Sequence, residues 1–108
     1  MRKIERLMNA AITNGTEFKL ANTRVEHEDG LAIVFLHGNK IAEVGDTFIR
    51  LFDGDHPTVT TKSRLNAILQ AHGEPGDRVF QKGWQWFLQM NTVQGLSTVP
   101  FFSSMRLG

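Results

Sequence analysis

Residues 23–52 read TRVEHEDGLAIVFLHGNKIAEVGDTFIRLF. Apolar and β-branched residues alternate with polar ones in short runs, and each run stops at a pair of turn-forming residues. Residues 23–27 make a first strand on this reading, and after Glu28 the pair Asp29-Gly30 supplies the positive φ of a tight hairpin. Residues 31–37 follow, with Leu31, Ile33 and Phe35 on one face and Val34 and Leu36 on the other. A strand apolar on both faces belongs in the middle of a sheet. Gly38-Asn39 turns the chain into a short strand over 40–44, Gly45-Asp46 turns it again, and residues 47–52 close an antiparallel meander.

Working outward, Ile4, Leu7, Met8, Ala11 and Ile12 recur at helical spacing and predict a helix over 2–13, stopped by Asn14-Gly15. On the other side, Asp53-Gly54-Asp55-His56-Pro57 is a loop. A second helix is expected from about Thr61 to His72, with Leu65, Ile68, Leu69 and His72 inward and Gly73 just past its end. Residues 78–82 and 84–90 read as two strands, or as one strand bulged at Gly83. Residues 97–102 read as a last strand that Pro100 restricts to an edge. The order α-β-β-β-β-α-β-β predicts a single α+β domain over 1–108, two-layered, with two helices packed on one face of an antiparallel sheet. Ile4, Leu7, Met8, Leu65, Ile68 and Leu69 are expected in its core, over Ile33 and Phe35.

Composition bounds the function. The chain has 108 residues, a hydrophobic fraction of 41%, a charged fraction of 21% and a formal charge of +1, all ordinary for one folded domain. A globally acidic nucleic-acid mimic and a strongly basic nucleic-acid coat are excluded. The sequence has no cysteine, which excludes disulfides, thiolate nucleophiles and Cys-type zinc sites. The charged start Met1-Arg2-Lys3-Ile4-Glu5-Arg6 is unlike a signal peptide, and no run is apolar enough to span a membrane. A cytoplasmic protein with no membrane partner is expected.

Five stretches form a recognisable set, beginning with Arg2-Lys3-Ile4-Glu5-Arg6, Asn22-Thr23 with Val25, and Val34-Phe35-Leu36-His37-Gly38-Asn39 with Ile41-Ala42. Thr60-Thr61-Lys62-Ser63-Arg64-Leu65-Asn66-Ala67-Ile68-Leu69 is the most specific block, and Phe80-Gln81-Lys82 with Trp86 completes the set. Together they resemble a widespread family of small tailed-bacteriophage proteins. The tail Phe101-Phe102-Ser103-Ser104-Met105 is more apolar than that pattern. The resemblance implies a phage gene product in the host cytoplasm. It implies no reaction and no cofactor.

The start of the second helix is the first candidate binding site. Thr58, Thr60, Thr61 and Ser63 offer hydroxyls, while Lys62 and Arg64 bring cations, with no acid, to the positive end of the helix dipole. Two readings stand. Thr60 or Thr61 is an ordinary N-cap, or Thr60, Thr61, Lys62, Ser63 and Arg64 hold a phosphate or a partner's carboxylate. On the second reading, glutamates at 62 and 64 would abolish binding while favouring the helix. Arg2, Lys3 and Arg6 form a basic face on the first helix, either solvated or turned to nucleic acid. Trp84 and Trp86 share a strand face by the period of two, either as core or as exposed anchors. His37 has no nucleophile and acid to act with, and Asp53, Asp55 and His56 lack the remainder of a calcium loop. No catalytic set, metal site or cofactor motif is read.

The sequence therefore favours a non-enzymatic phage accessory protein that binds and modulates a host or phage protein. The alternative is a nucleic-acid-binding module using the basic start of helix two and helix one. Its α-β-β-β-α order is superficially similar to a double-stranded-RNA-binding domain, which the extra strands after the second helix do not fit.

Overall fold

A computed structural model describes residues 1–55 and 57–108 of the chain. Helix α1 spans Lys3–Asn14, and it is followed by β1 (Phe18–Leu20), β2 (Thr23–Glu28), β3 (Leu31–Leu36), β4 (Asn39–Val44) and β5 (Ile49–Leu51). Then come α2 (Val59–His72), β6 (Arg78–Lys82), β7 (Gln85–Thr92), β8 (Gly95–Pro100) and β9 (Met105–Leu107). The α+β class and the antiparallel pairing are as expected. The strands divide into a six-stranded sheet, β1-β2-β3-β4-β5-β9, and a three-stranded sheet, β6-β7-β8. Sequence reading missed β1 and β9, each only three residues long. It also drew the strands after α2 into one sheet with the meander.

The large sheet buries one face. Val25, Val34, Ala42, Leu51 and Met105 stand opposite one another across successive strands, and all are buried. Both helices lie over this face. Arg64 of α2 donates to Thr23, and the His27 ring bonds the Ala11 carbonyl of α1. The side chain of Ser63 reaches Glu5 and that of Asn9 reaches Ala67, each 58 positions apart. The constant offset means that α1 and α2 run parallel, with their N-termini together.

The face assignment of β3 needs correction. Ala32, Val34 and Leu36 point into the core, whereas Ile33 and Phe35 are half-buried on the outer face. The pattern of β3 was ambiguous because both faces are apolar. The register settles it, since Val34 pairs with the fully buried Val25. In α1, Met8, Ala11 and Ile12 are buried, but Ile4 is only half-buried and Leu7 is 40% exposed. Glu5 and Asn9 take the places expected of them. In α2, Leu65, Ile68 and Leu69 are buried as expected, with Thr61, Arg64 and Ala67. So broad a buried surface arises because α2 lies between two sheets.

Turn chemistry follows the hairpin rules. Asp29 and Gly30 have φ of 51° and 81° between the paired Glu28 and Leu31, so the expected tight turn forms there. At the β6–β7 connection, Gly83 and Trp84 have φ of 58° and 66° between the paired Lys82 and Gln85. Gly83 is therefore the first corner of a hairpin and not a bulge. Trp84 occupies the second corner, where Gly or Asn is usual. Gly73 lies just past the end of α2, as expected, with an extended backbone and φ of −90°. Its lack of a side chain is required by space, because a Cβ there would sit 2.8 Å from the Leu69 carbonyl.

Candidate functional site

The expected site at the start of α2 is partly interior: Thr61 and Arg64 are buried, while Thr60, Lys62 and Ser63 are half-buried. The helix begins two residues earlier than predicted and its N-cap is Thr58, not Thr60 or Thr61. Thr58 and Thr61 cap each other: the Thr61 N–H donates to Thr58 Oγ1, and the Thr58 N–H donates to Thr61 Oγ1. Thr61 is 3% exposed. The Ser63 hydroxyl donates to Glu5 at 2.6 Å. Arg64 is also 3% exposed, and its guanidinium donates to Glu5 (2.8 Å), Thr23 (3.0 Å) and Asn22 (3.2 Å).

The acid missing from the first turn of α2 is therefore supplied by α1. Glu5 lies between two parallel helix N-termini, where a negative charge is favoured. Burial alone would raise its pKa. The bonds from Ser63, Arg64 and the Arg2 N–H, with the Arg64 charge, outweigh that and hold the carboxyl below its ordinary 4.5. Arg64→Glu would place a second carboxylate against Glu5 in the interior. The expectation that such a change favours the helix is thus overturned for position 64. Arg64 and Thr61 are buried, and the half-buried Ser63 is bonded to Glu5. Lys62 and Thr60 are half-buried and remain near the surface, and Arg2, Lys3 and Arg6 are exposed on α1.

Trp84 and Trp86 do not share a strand face. Trp86 lies on β7 and packs against the core from the inner face of the small sheet. Trp84 stands at the hairpin tip, 94% exposed. Behind it, on the outer face of the same sheet, the rings of Phe80 and Phe87 stack with centroids 5.5 Å apart. Phe102 is 61% exposed. The small sheet is held to α2 by Asn66, whose side chain accepts from the Val79 N–H and donates to the Val79 carbonyl, as a neighbouring strand would.

From Gly83 to Met105 the chain carries no charged side chain, yet most of β8 and its flanking turns are exposed. Exposed chain without charge is unusual on a surface that meets only water.

The other candidates carry less. His37 is exposed, with φ of 52°, at the corner of the β3–β4 turn, which is shifted one residue from the expected Gly38-Asn39. Asp53 accepts from the Asp55 N–H in a local turn, and His56 lies outside the described residues. Among the described residues, no three His, Asp or Glu side chains gather as a metal site would need. A groove of about 590 Å³ opens between the two sheets, beside His72, Glu74, Asp77 and Arg106. Asp77 is occupied there, accepting from the N–H groups of Glu74 and Asn91. No helix of the described residues is long and apolar enough to cross a membrane.

No curated protein and no solved structure matches the chain. The family model for the Kyanoviridae Gp96 protein, a phage family, matches residues 1–108, and the chain belongs to that family.

Proposed function

We propose that this phage protein is a non-catalytic accessory factor that binds another protein, of the host or of the phage, inside the infected cell. The observation that carries the reading is Trp84. A tryptophan with 94% of its surface in water, in a left-handed corner, does nothing for the core. Tryptophan is enriched among the residues that dominate protein interfaces. The stacked Phe80 and Phe87 continue the aromatic surface behind it, with Arg78 4.7 Å from the Phe80 ring centre.

The nucleic-acid reading keeps one support: Arg2, Lys3 and Arg6 are exposed on α1, and α1 packs beside the turn that carries Lys62. It loses Arg64 to Glu5. Affinity capture from infected cells, with nuclease treatment, separates the two. A protein retained after nuclease and lost with Trp84→Ser supports the protein-binding reading. Capture that disappears with nuclease and with Lys62→Glu, and is indifferent to Trp84→Ser, supports nucleic acid.

A further inference from the structure

We infer that β8 is a self-pairing edge, through which two copies of the chain join their small sheets into one six-stranded sheet. The two sheets have four edges, β1, β9, β6 and β8. Strands β1 and β9 are three residues long and centred on Lys19 and Arg106, and short charged edges resist pairing. Strand β6 carries Arg78 and Lys82, and the backbone of Val79 is already bonded by Asn66. Strand β8 has none of these protections. It is six residues long, uncharged and exposed along nearly its whole length.

The hydrogen-bond phase shows which groups it offers. The Phe101 N–H bonds the Trp86 carbonyl, in register with the β7–β8 pairs. Backbone groups alternate in direction along a strand, so Val99 and Ser97 face β7, while Leu96, Thr98 and Pro100 face outward. The outward N–H and C=O groups of Leu96 and Thr98 form a short ladder that ends at Pro100, which has no N–H to give.

A second copy fits this ladder. Antiparallel pairing about a two-fold axis at Ser97 sets Leu96 against the partner's Thr98 and Thr98 against the partner's Leu96. No charge meets a like charge. Pro100 falls beyond the end of the partner's β8, where no bond is required of it. Val93, fully exposed at the β7–β8 turn, would then approach the partner's Phe101 and the exposed Phe102. The edge is therefore complementary to itself in backbone, charge and apolar surface, as a two-fold interface must be.

Two measurements on the intact chain test this. Sedimentation velocity over a hundredfold concentration range should show wild type reaching twice the monomer mass. Thr98→Pro, which removes an outward N–H and no internal bond, should remain monomeric with an unchanged circular-dichroism spectrum. Ser97→Cys places the only cysteine of the chain on the axis. Opposite residues at such a non-bonded position have Cα atoms about 4.5 Å apart, within reach of a disulfide. It should oxidise to a covalent dimer, and Ser103→Cys should not. A wild-type chain monomeric throughout, or equal cross-linking by both cysteines, overturns the inference. Neither result bears on capture through Trp84, so the proposed function can stand or fall separately.

Discussion

The two sheets treat their outer faces differently. On the large sheet, half-buried rings are covered by cations: Arg24 lies 4.2 Å from the centre of Phe35, Lys40 4.5 Å from Phe52, and Arg106 4.5 Å from Phe48. Glu43 in turn pairs with Lys40 and Arg50. This is a face finished for water. On the small sheet, among the described residues, Phe80 alone has such a cover, and Trp84, Val93 and Leu96 are 94%, 105% and 62% exposed. Apolar side chains on an outer face thus differ in meaning according to whether long charged side chains lie over them. Both sheets contribute to the core, the small one through Val79 and Leu88, and they differ in how their outer faces meet water.

That division can be broken from the interior first. Arg64→Ala leaves the Glu5 carboxylate buried without its partner and should cost about 3–5 kcal/mol. A loss under about 1 kcal/mol in urea unfolding would mean that the start of α2 is a surface after all. Ile68→Ala, at a fully buried position between the sheets, should cost about 2–5 kcal/mol. Asn66→Ala strips two backbone groups of Val79 of their partners, at about 1–3 kcal/mol for a buried group left unsatisfied. Hydrogen exchange should then accelerate in β6 before it does in β3. Simultaneous acceleration in both would erase the distinction between the sheets.

Acid should act on the interior in two steps. Burial pushes the His72 ring below its ordinary 6.5. Its contribution is therefore present above that pH and fades as pH falls through the lowered folded value. Glu5 follows the same sign at lower pH: its contribution is present above about 4.5 and fades as its depressed folded value is crossed. His72→Gln should remove the first decline and leave the second. The smallest effect is expected at Trp84, where Trp84→Gly should change stability by no more than about 0.5 kcal/mol, because the corner prefers glycine and the ring touches little.

Much of this fold is legible in the sequence, because α1 and the β2–β5 meander carry clear periodicities and a strong Asp29-Gly30 turn. What was not legible depends on distant residues. Nothing near Arg64 announces that its counter-ion is Glu5, 59 positions away. The face of β3 is undecidable from a strand apolar on both sides, and Gly83-Trp84 is not a turn pair that composition suggests. Residues 83–105 are marked in the sequence only by the absence of charged side chains, which no chemical motif registers.

The proposed function rests on the small sheet and not on the start of α2. Nuclease-treated affinity capture from infected cells tests it directly, with wild type, Trp84→Ser and Lys62→Glu compared at equal melting temperature. A protein partner should be held by wild type and Lys62→Glu and lost by Trp84→Ser. Retention by Trp84→Ser with loss by Lys62→Glu would contradict it.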